Sequence, residues 1–310
     1  VVALDYRGRA GIATSIGHAP QAALVDPAAG SILSIAEALT NIVWAPLSEG
    51  LDSVSLSANW MWPCKNEGED ARLYRAVEAC SDFACSLGIN IPTGKDSLSM
   101  TQKYGKDKVY SPGTVIISAG AEVSDIRKVV SPVLRTGVDS MVYYIDFSFD
   151  KLKLGGSAFA QSLDKIGKEV PTVQDSEYFA NAFNAVQELI NKELILAGHD
   201  ISAGGMITTM LEMNFANTEG GLEVSLDEIP EKDLVKILFS ENPGILIQVE
   251  KTDEVEKILK KAGVAFIRLA RPCDERHLLI HKDGADYQFF IDHLRDVWFE
   301  SSYLLDRKQS

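Results

Sequence analysis

The sequence predicts an α/β (α+β) protein of two domains, each combining a sheet with helices. A chain of 310 residues, 46% of them hydrophobic, is long enough to bury a large core and most naturally divides in two. Strand and helix patterns alternate through the second half, as in a sheet covered by helices. Proline, glycine and polar residues between 126 and 138 indicate a linker. We therefore predict domains at 1–125 and 139–310.

The charge balance limits the partners that this chain can bind. It has 30 Lys plus Arg against 44 Asp plus Glu, a net charge of −14, which repels nucleic acid and anionic membranes. No apolar run is long enough to span a bilayer. A phosphorylated ligand must therefore be held by local donors, backbone N–H groups or a metal ion. The four cysteines lack paired CxxC spacing, which indicates reduced thiols and a cytoplasmic location.

The first domain is predicted from short periodic patterns. Glycines and branched residues in 1–18 indicate a short strand followed by a flexible loop. Val54–Ser57 alternates like a half-buried strand, and 58–63 is predicted to be a loop. Its two tryptophans could stack on a base, but we favour a packed aromatic lid over the core. The remaining elements are a helix over 69–87 closed by Gly88 and a strand over 114–123.

A helix that follows Asp26 carries the first candidate site. Glu37 and Asn41 lie four residues apart on the side opposite its apolar stripe, close enough to share a ligand. Carboxylate and amide oxygens are hard donors that suit Mg²⁺, which also keeps places for water and substrate phosphates. The alternative is that this is the solvated face of an ordinary amphipathic helix.

A second polar segment runs from Gly94 to Met100, after a short apolar run. Its Gly-Lys-x-Ser order lacks the upstream glycine spacing of a Walker motif. Lys95, Asp96 and the neighbouring hydroxyls can still serve a phosphorylated ligand at the end of a strand. A polar turn with a solvated lysine explains the same residues equally well, and both interpretations stay open.

The third candidate segment lies in the second domain. A buried strand over 194–197 is predicted to lead into Gly198–Gly205, and a helix over 206–215 follows. The glycines permit close backbone approach, the helix start offers N–H groups, and Asp200 can hold a cation. A capped helix after a glycine turn is the alternative.

The rest of the second domain carries no defensible catalytic triad. Glu241–Gly244 is interpreted mainly as a turn, and Asp283-Gly284 as the turn of a hairpin over 277–291. The other predicted elements are strands over 141–145, 222–224, 244–249 and 266–269, and helices beginning at 155–157 and covering 178–191, 231–239 and 253–262.

Seven segments, taken in order, resemble one family over nearly the whole chain. The family is the large, single-chain phosphoribosylformylglycinamidine synthases of purine biosynthesis. Seven ordered motifs are far more specific than any one of them, and they favour the site interpretations of Glu37, Asn41 and Asp200 over the alternatives. The segments are Gly17–Pro20, Asp26–Ala28, Glu37–Asn41, Ser57–Met61, Gly68–Ala71, Pro92–Met100 and His199–Gly205.

This resemblance implies a fold and a reaction. The family converts formylglycinamide ribonucleotide, ATP and glutamine to the amidine, ADP, phosphate and glutamate. Its synthetase region has two halves, each an aminoimidazole-ribonucleotide-synthetase-like pair of domains, and this chain is similar to the second half. By motif, Glu37, Asn41 and Asp200 would ligate Mg²⁺, Ser202 would contact the phosphates of ATP or ADP, and Lys95 would line the phosphate or substrate region.

The resemblance also implies missing parts. The chain opens on Val1 without a Met, so we expect the first half, with its glycine-rich ATP loop and a further aspartate ligand, to lie upstream. The glutaminase domain would lie downstream of Ser310. Ala203 replaces an Asp that some relatives carry. We expect the fragment alone to be inactive and to favour self-association through apolar surface that the other half would cover.

Two further readings compete with a ligase. In the family, one of the two nucleotide sites can be a structural one that holds tightly bound ADP, and we favour that role for this half. A different relative of the same fold, such as a selenophosphate synthetase or a thiamine-phosphate kinase, is disfavoured by the Trp60 and Gly94–Met100 motifs.

Overall fold

The computed structural model describes residues 1–309, which form two main β-sheets from consecutive parts of the chain. The strands of the first part are β1 (Val2–Ala3), β2 (Gly11–His18), β3 (Ser55–Met61), β4 (Asn90–Ser97), β5 (Thr101–Tyr104), β6 (Asp107–Tyr110) and β7 (Thr114–Val123). Its helices are α1 (Pro20–Val25), α2 (Pro27–Ile42) and α3 (Glu69–Ser86).

The first sheet has five strands in the order β1-β2-β7-β3-β4, and only the β3–β4 pair is parallel. Helix α2 packs on its β2 and β7 strands and against α3. Gly17 of β2 lies directly against the backbone of Ser34 and Ala38 in α2, where a Cβ atom would overlap them. This contact brings the helix as close to the sheet as a glycine allows.

Helix α2 begins where the sequence predicts. Asp26 accepts hydrogen bonds from the backbone N–H groups of Ala28 (2.9 Å) and Ala29 (3.3 Å), and Pro27 occupies the first turn. An aspartate cap followed by proline is a favoured helix start, because it satisfies orphan donors and presets φ.

The second part of the chain begins with β8. Its strands are β8 (Met141–Asp146), β9 (Ala197–Asp200), β10 (Gly221–Ser225), β11 (Gly244–Val249), β12 (Phe266–Cys273), β13 (His277–Lys282) and β14 (Ala285–Phe290). Its helices are α4 (Ala158–Ser162), α5 (Ser176–Asn191), α6 (Gly205–Phe215), α7 (Leu234–Phe239), α8 (Thr252–Lys261) and α9 (Ile291–Gln309). The seven strands follow the order β14-β13-β10-β12-β8-β11-β9, with β10–β13 as the only parallel pair.

Several predicted elements were wrong in extent. The loop expected in 1–18 is mostly β2, and the loop expected at 58–63 continues β3 to Met61. The segment 94–97 is part of β4 rather than a turn, because it pairs in parallel with β3. The strand expected at 194–197 instead begins at Ala197 and runs to Asp200. Polar and glycine residues suggested loops here, whereas pairing with neighbouring strands decides the conformation.

One hydrophobic core joins the two parts. It contains Leu39 of α2 and Phe83 of α3 together with Phe179 of α5 and Ile247 of β11. The rings of Phe83 and Phe179 meet edge to face with centroids 5.8 Å apart. The first part therefore does not close its core without the second.

Gln187 adds a polar connection at the same junction. This side chain of α5 is fully buried, and its amide accepts a hydrogen bond from the N–H of Leu47 (2.9 Å) and donates to the carbonyls of Val43 (2.5 Å) and Ala45 (3.1 Å). It thereby satisfies three backbone groups of the segment that leaves α2. Buried polar groups without such partners are costly.

We predict that Gln187→Leu lowers the free energy of unfolding by about 3 kcal/mol, because it leaves these backbone groups without a partner. Urea denaturation of the variant measures this value. The exposed Gln102→Leu is the control for adding a leucine. Equal stability of the two variants would contradict the role assigned to Gln187.

Candidate functional site

Glu37 is the centre of a polar cluster where the two parts of the chain meet. Its Oε1 atom accepts a hydrogen bond from Ser202 Oγ at 2.7 Å and another from Asn41 Nδ2 at 3.3 Å. Glu37 and Asn41 belong to α2, whereas Ser202 lies in the turn between β9 and α6. Most of α2 is buried, so Glu37 does not lie on the solvated face of an amphipathic surface helix.

The environment of Glu37 opposes its negative charge. Burial, with smaller contributions from the charges of Asp200 and Glu241, raises the pKa of this carboxyl to about 7 against the lowering effect of the Ser202 and Asn41 hydrogen bonds. Across the described residues, no ion pair to Glu37 is found within 4.0 Å. Three carboxyl groups therefore share one corner that a cation would stabilise.

Asp200 is held by a chain of charged side chains. It is 6% exposed at the end of β9, the edge strand of the second sheet. Its Oδ1 atom lies 3.5 Å from His199 Nδ1, and His199 Nε2 lies 3.4 Å from Glu212 Oε2. Burial alone would lower the pKa of His199, but hydrogen bonds and charge from Asp200 and Glu212 outweigh it and raise the pKa to about 10. The imidazolium thus fixes Asp200 from the side of α6.

Glu241 joins the starts of two helices next to this corner. Its Oε1 atom accepts hydrogen bonds from the backbone N–H groups of Ala158 (2.7 Å) and Gly204 (2.8 Å), at the beginnings of α4 and α6. Burial raises the pKa of its carboxyl, while these two hydrogen bonds lower it. Sequence reasoning missed Glu241 as a site residue and interpreted its segment mainly as a turn. The available signal was a glutamate two residues after a short helix and next to a buried strand.

A cleft of about 300 Å³ opens beside these residues. Helix α2 contributes Glu37 and Thr40 to its lining, and the second part of the chain contributes Gly156, Ser202 and Glu241. This volume lies at the lower end of the range of small-molecule sites. The cleft is polar where the carboxyl groups converge and is walled by both parts of the chain.

The structure brings four of the five sequence-predicted site residues to one corner. Glu37, Asn41 and Ser202 are hydrogen-bonded, and Asp200 is close enough to act on Glu37 electrostatically. Asn41 points its amide N–H₂ at Glu37 and also at the carbonyl of Ile16 (3.3 Å). Lys95 lies apart on the exposed edge strand β4, where its Nζ donates to Ser97 Oγ at 3.4 Å, and it does not line the cleft.

Acidic, histidine and cysteine side chains alone do not form a complete set of metal ligands at this corner. Within residues 1–309, no group of three such side chains is arranged to hold a metal ion. The oxygen atoms of Glu37 and Asp200, with the Asn41 amide once it is turned, fit a cation that keeps several waters. The carboxyl groups of Glu37, Asp200 and Glu241 at this corner also favour the binding of a cation.

Two family profiles match the two parts of the chain. The profile described as "FGAR-AT PurM_N-like domain" matches residues 1–122, and the profile "AIR synthase related protein, C-terminal domain" matches residues 142–278. Curated relatives agree with both. The chain is 38% identical, over its full length, to the probable phosphoribosylformylglycinamidine synthase of Arabidopsis thaliana and 36% identical to the phosphoribosylformylglycinamidine synthase of Homo sapiens.

The chain belongs to the phosphoribosylformylglycinamidine synthase family. It covers 22% of the Arabidopsis relative and 24% of the human one, so it spans about a quarter of the length of these proteins. The family resemblance drawn from the seven segments is thereby confirmed.

Solved structures confirm the fold. Thermotoga maritima PurL complexed with FGAR has a TM-score of 0.75 at 16% identity, covering 95% of this chain and 47% of PurL. The ATP complex of the same protein has a TM-score of 0.72 at 14% identity, over 95% of this chain and 45% of PurL. The aminoimidazole-ribonucleotide-synthetase-like α/β fold that the sequence implied is correct.

The raised pKa of Glu37 predicts a pH-dependent stability in buffer with EDTA. The folded state keeps this proton up to about pH 7, whereas the unfolded state loses it near the ordinary value of 4.5. Stability therefore falls as pH rises through this window, by about 2–3 kcal/mol from this group between pH 5 and pH 8. Glu37→Gln removes this part of the pH dependence, and urea denaturation at both pH values measures it.

The matched control is Glu219→Gln, which changes an exposed glutamate. It should lose stability between pH 5 and pH 8 as the unmodified chain does. If the stability of Glu37→Gln changes with pH as the stability of this control does, the pKa of Glu37 is not raised. That result would contradict the electrostatic repulsion inferred at this corner.

Proposed function

We propose that this chain is a magnesium- and nucleotide-binding part of the synthetase region that converts formylglycinamide ribonucleotide to the amidine in purine biosynthesis. The observation that carries the proposal is the 2.7 Å hydrogen bond between Ser202 and Glu37, which unites the family motifs of both domains at one cleft. The predicted domains, 1–125 and 139–310, would then each supply one wall. The reaction uses ATP and glutamine-derived ammonia, and it belongs to the whole enzyme.

A magnesium ion accounts for the electrostatics of this corner. Glu37, Asp200 and Asn41 supply hard oxygen donors, and no cation otherwise offsets Glu37 among the described residues. Bound Mg²⁺ would neutralise phosphate charge and orient the nucleotide. His199 and Glu212 would hold Asp200 in place, as hydrogen-bond partners of metal ligands commonly do.

Nucleotide phosphates would lie at the turn between β9 and α6. The Ser202 hydroxyl lies there and would exchange its hydrogen bond to Glu37 for one to a phosphate oxygen, and the α6 N-terminus adds the positive end of a helix dipole. Complexes of the T. maritima PurL structure with ATP and with ADP support a nucleotide in this fold. Lys95 keeps its proposed role only at a different surface, the β4 edge, where it would face a substrate or partner rather than this cleft.

The substrate and the other domains are proposed from the relatives. The PurL structure complexed with FGAR supports formylglycinamide ribonucleotide as the substrate of the whole enzyme. The open face of the first sheet exposes Ile12 (46%) and Ile16 (59%), which supports a protein partner there, such as the first synthetase half or a second copy of this chain. The glutaminase domain would supply ammonia.

The location remains a proposal as well. Across residues 1–309, no helix has the length and apolar content needed to cross a bilayer, and the four cysteines are free thiols. Free thiols support the reducing cytoplasm that the sequence analysis favoured.

Within this proposal, a structural role for the nucleotide is favoured over a catalytic one. The cleft is formed by both parts of the chain, so a ligand there contacts both and stabilises their junction. Apart from the carboxyl groups assigned to the cation, His18 is the one ionisable side chain among the described residues that line the cleft, and it lies exposed at the end of β2. This is the reading in which bound Mg–ADP acts as a scaffold.

Thermal unfolding with Mg–ADP, Mg–ATP or EDTA tests the binding site. A ligand at a hundredfold excess over Kd stabilises the folded state by about 2.7 kcal/mol, which raises the melting temperature of a chain of this size by several degrees. We expect that rise with both nucleotides and its loss in EDTA or in Asp200→Asn. The exposed Asp139→Asn should keep it. No rise in the unmodified chain would contradict nucleotide binding by this chain alone.

Complementation separates the structural role from the catalytic one. The chain is combined with a first synthetase half and supplied with formylglycinamide ribonucleotide, ATP and ammonium. If the site is structural, Glu37→Ala and Asp200→Ala lower the melting temperature but leave the rate of ADP release within a factor of about three. A loss of about a hundredfold or more in rate, with intact association, would assign catalysis to this site.

A further inference from the structure

Beyond the nucleotide cleft, a second hollow lies on the other side of the glycine turn at 155–156. Its volume is about 450 Å³, within the range of small-molecule sites. Its lining combines lysines, which we call the rim, with apolar side chains, which we call the floor; the residues of this lysine hollow include Lys153, Lys165, Lys168, Lys236, Phe159 and Leu163. We propose that it binds a small anion that carries a flat aromatic body.

The positive charge of the rim is unusual for this chain. Four lysines line one hollow in a protein of net charge −14. Lys153 lies 2.6 Å from Asp150, and Lys236 lies 3.8 Å from Glu231, so these two lysines are partly neutralised. Lys165 and Lys168 have no acidic side chain within 4.0 Å among the described residues, and Glu169 is the one carboxylate on the lining. The hollow therefore attracts an anion locally.

The rim is held in place before any ligand arrives. The loop that carries Lys165 and Lys168 is anchored by backbone hydrogen bonds from Gly155 to Glu169 (2.8 Å), from Gly156 to Ile166 (2.7 Å) and from Lys165 to Ala160 (3.0 Å). Such anchoring lowers the entropy lost when a ligand binds. The lysines are thus presented by a fixed loop rather than by a flexible tail.

The apolar floor of the hollow favours a ligand that also carries an apolar part. Leu163 is 52% exposed, and the ring of Phe159 is half-buried with its stacking partner Phe239 at a centroid distance of 4.8 Å. A flat ring laid on Phe159 and Leu163 would cover this surface while its anionic group met the lysines. An inorganic anion would use the rim alone and leave the floor in water.

The lysine hollow is separate from the nucleotide cleft, although the two share a wall. Ala158 and Gln161 of α4 line the cleft, whereas Phe159 and Ala160 line the hollow. Gly155 lines both. Occupation of the hollow does not require the metal site, so the proposal stands or falls independently of the proposed function.

Pyridoxal 5′-phosphate is a suitable probe because it joins an aromatic ring, a phosphate and an aldehyde. A lysine ε-amine adds to the aldehyde carbon, water leaves to form an imine, and borohydride then delivers hydride to the imine carbon, giving a stable secondary amine. Peptide mapping by mass spectrometry identifies the labelled lysines. We expect Lys165 or Lys168 to be labelled about tenfold more than the exposed Lys257 and Lys261 of α8.

Three controls define the ligand class. Pyridoxal, which lacks the phosphate, should label all exposed lysines alike. Phenyl phosphate should protect Lys165 and Lys168 at concentrations about tenfold lower than inorganic phosphate does. Leu163→Gln, which keeps every lysine, should remove that difference between the two protectants.

Each of the opposite results overturns a part of the proposal. Even labelling of rim and α8 lysines would mean that the hollow is no anion site. Equal protection by phenyl phosphate and inorganic phosphate would mean that the hollow does not recognise an aromatic ring on the anion.

Discussion

The burial of helix α2 is the constraint on which the rest of the structure depends. The helix lies so close to β2 that only glycine fits at Gly17, and its far end leads into a segment whose backbone groups are satisfied by Gln187 of α5. One core then continues from α2 and α3 to α5 and β11. Because α2 is fixed by both parts of the chain, Glu37 is fixed with it.

This fixed position creates the electrostatic character of the site. The partly buried carboxyl of Glu37 is hydrogen-bonded close to Asp200 and Glu241, so its pKa is raised. The hydrogen bonds from Ser202 and Asn41 hold it in place but offset only part of that effect. Unfavourable charge that the fold maintains is a common mark of a binding site, because a ligand can relieve it.

The family, the α/β fold and the residues that meet at the corner could all be predicted from the sequence. Each of these predictions uses short motifs, whose residues can be recognised by their spacing along the chain without knowing the fold. Glu37 and Asn41 share a helix face, and Asp200 and Ser202 share one turn. Glu241 was missed because its role depends on Ala158 and Gly204, which are 83 and 37 residues away. The distance of Lys95 from this corner could not be predicted for a similar reason, since only the pairing of β4 with β3 puts it on an exposed edge.

Short helix α4 connects the site to a second surface. Glu241 accepts from its first N–H group, and the anchored loop 163–169 packs against the glycine turn that precedes it. A Cβ atom on Gly167 would approach Gly155 to 2.7 Å, so the loop and the turn cannot shift independently. Charge on the cleft side is negative and charge on the lysine side is positive, and five residues of helix separate them. A ligand that fixes either side therefore restricts the same backbone segment, which is the physical requirement for one site to influence the other.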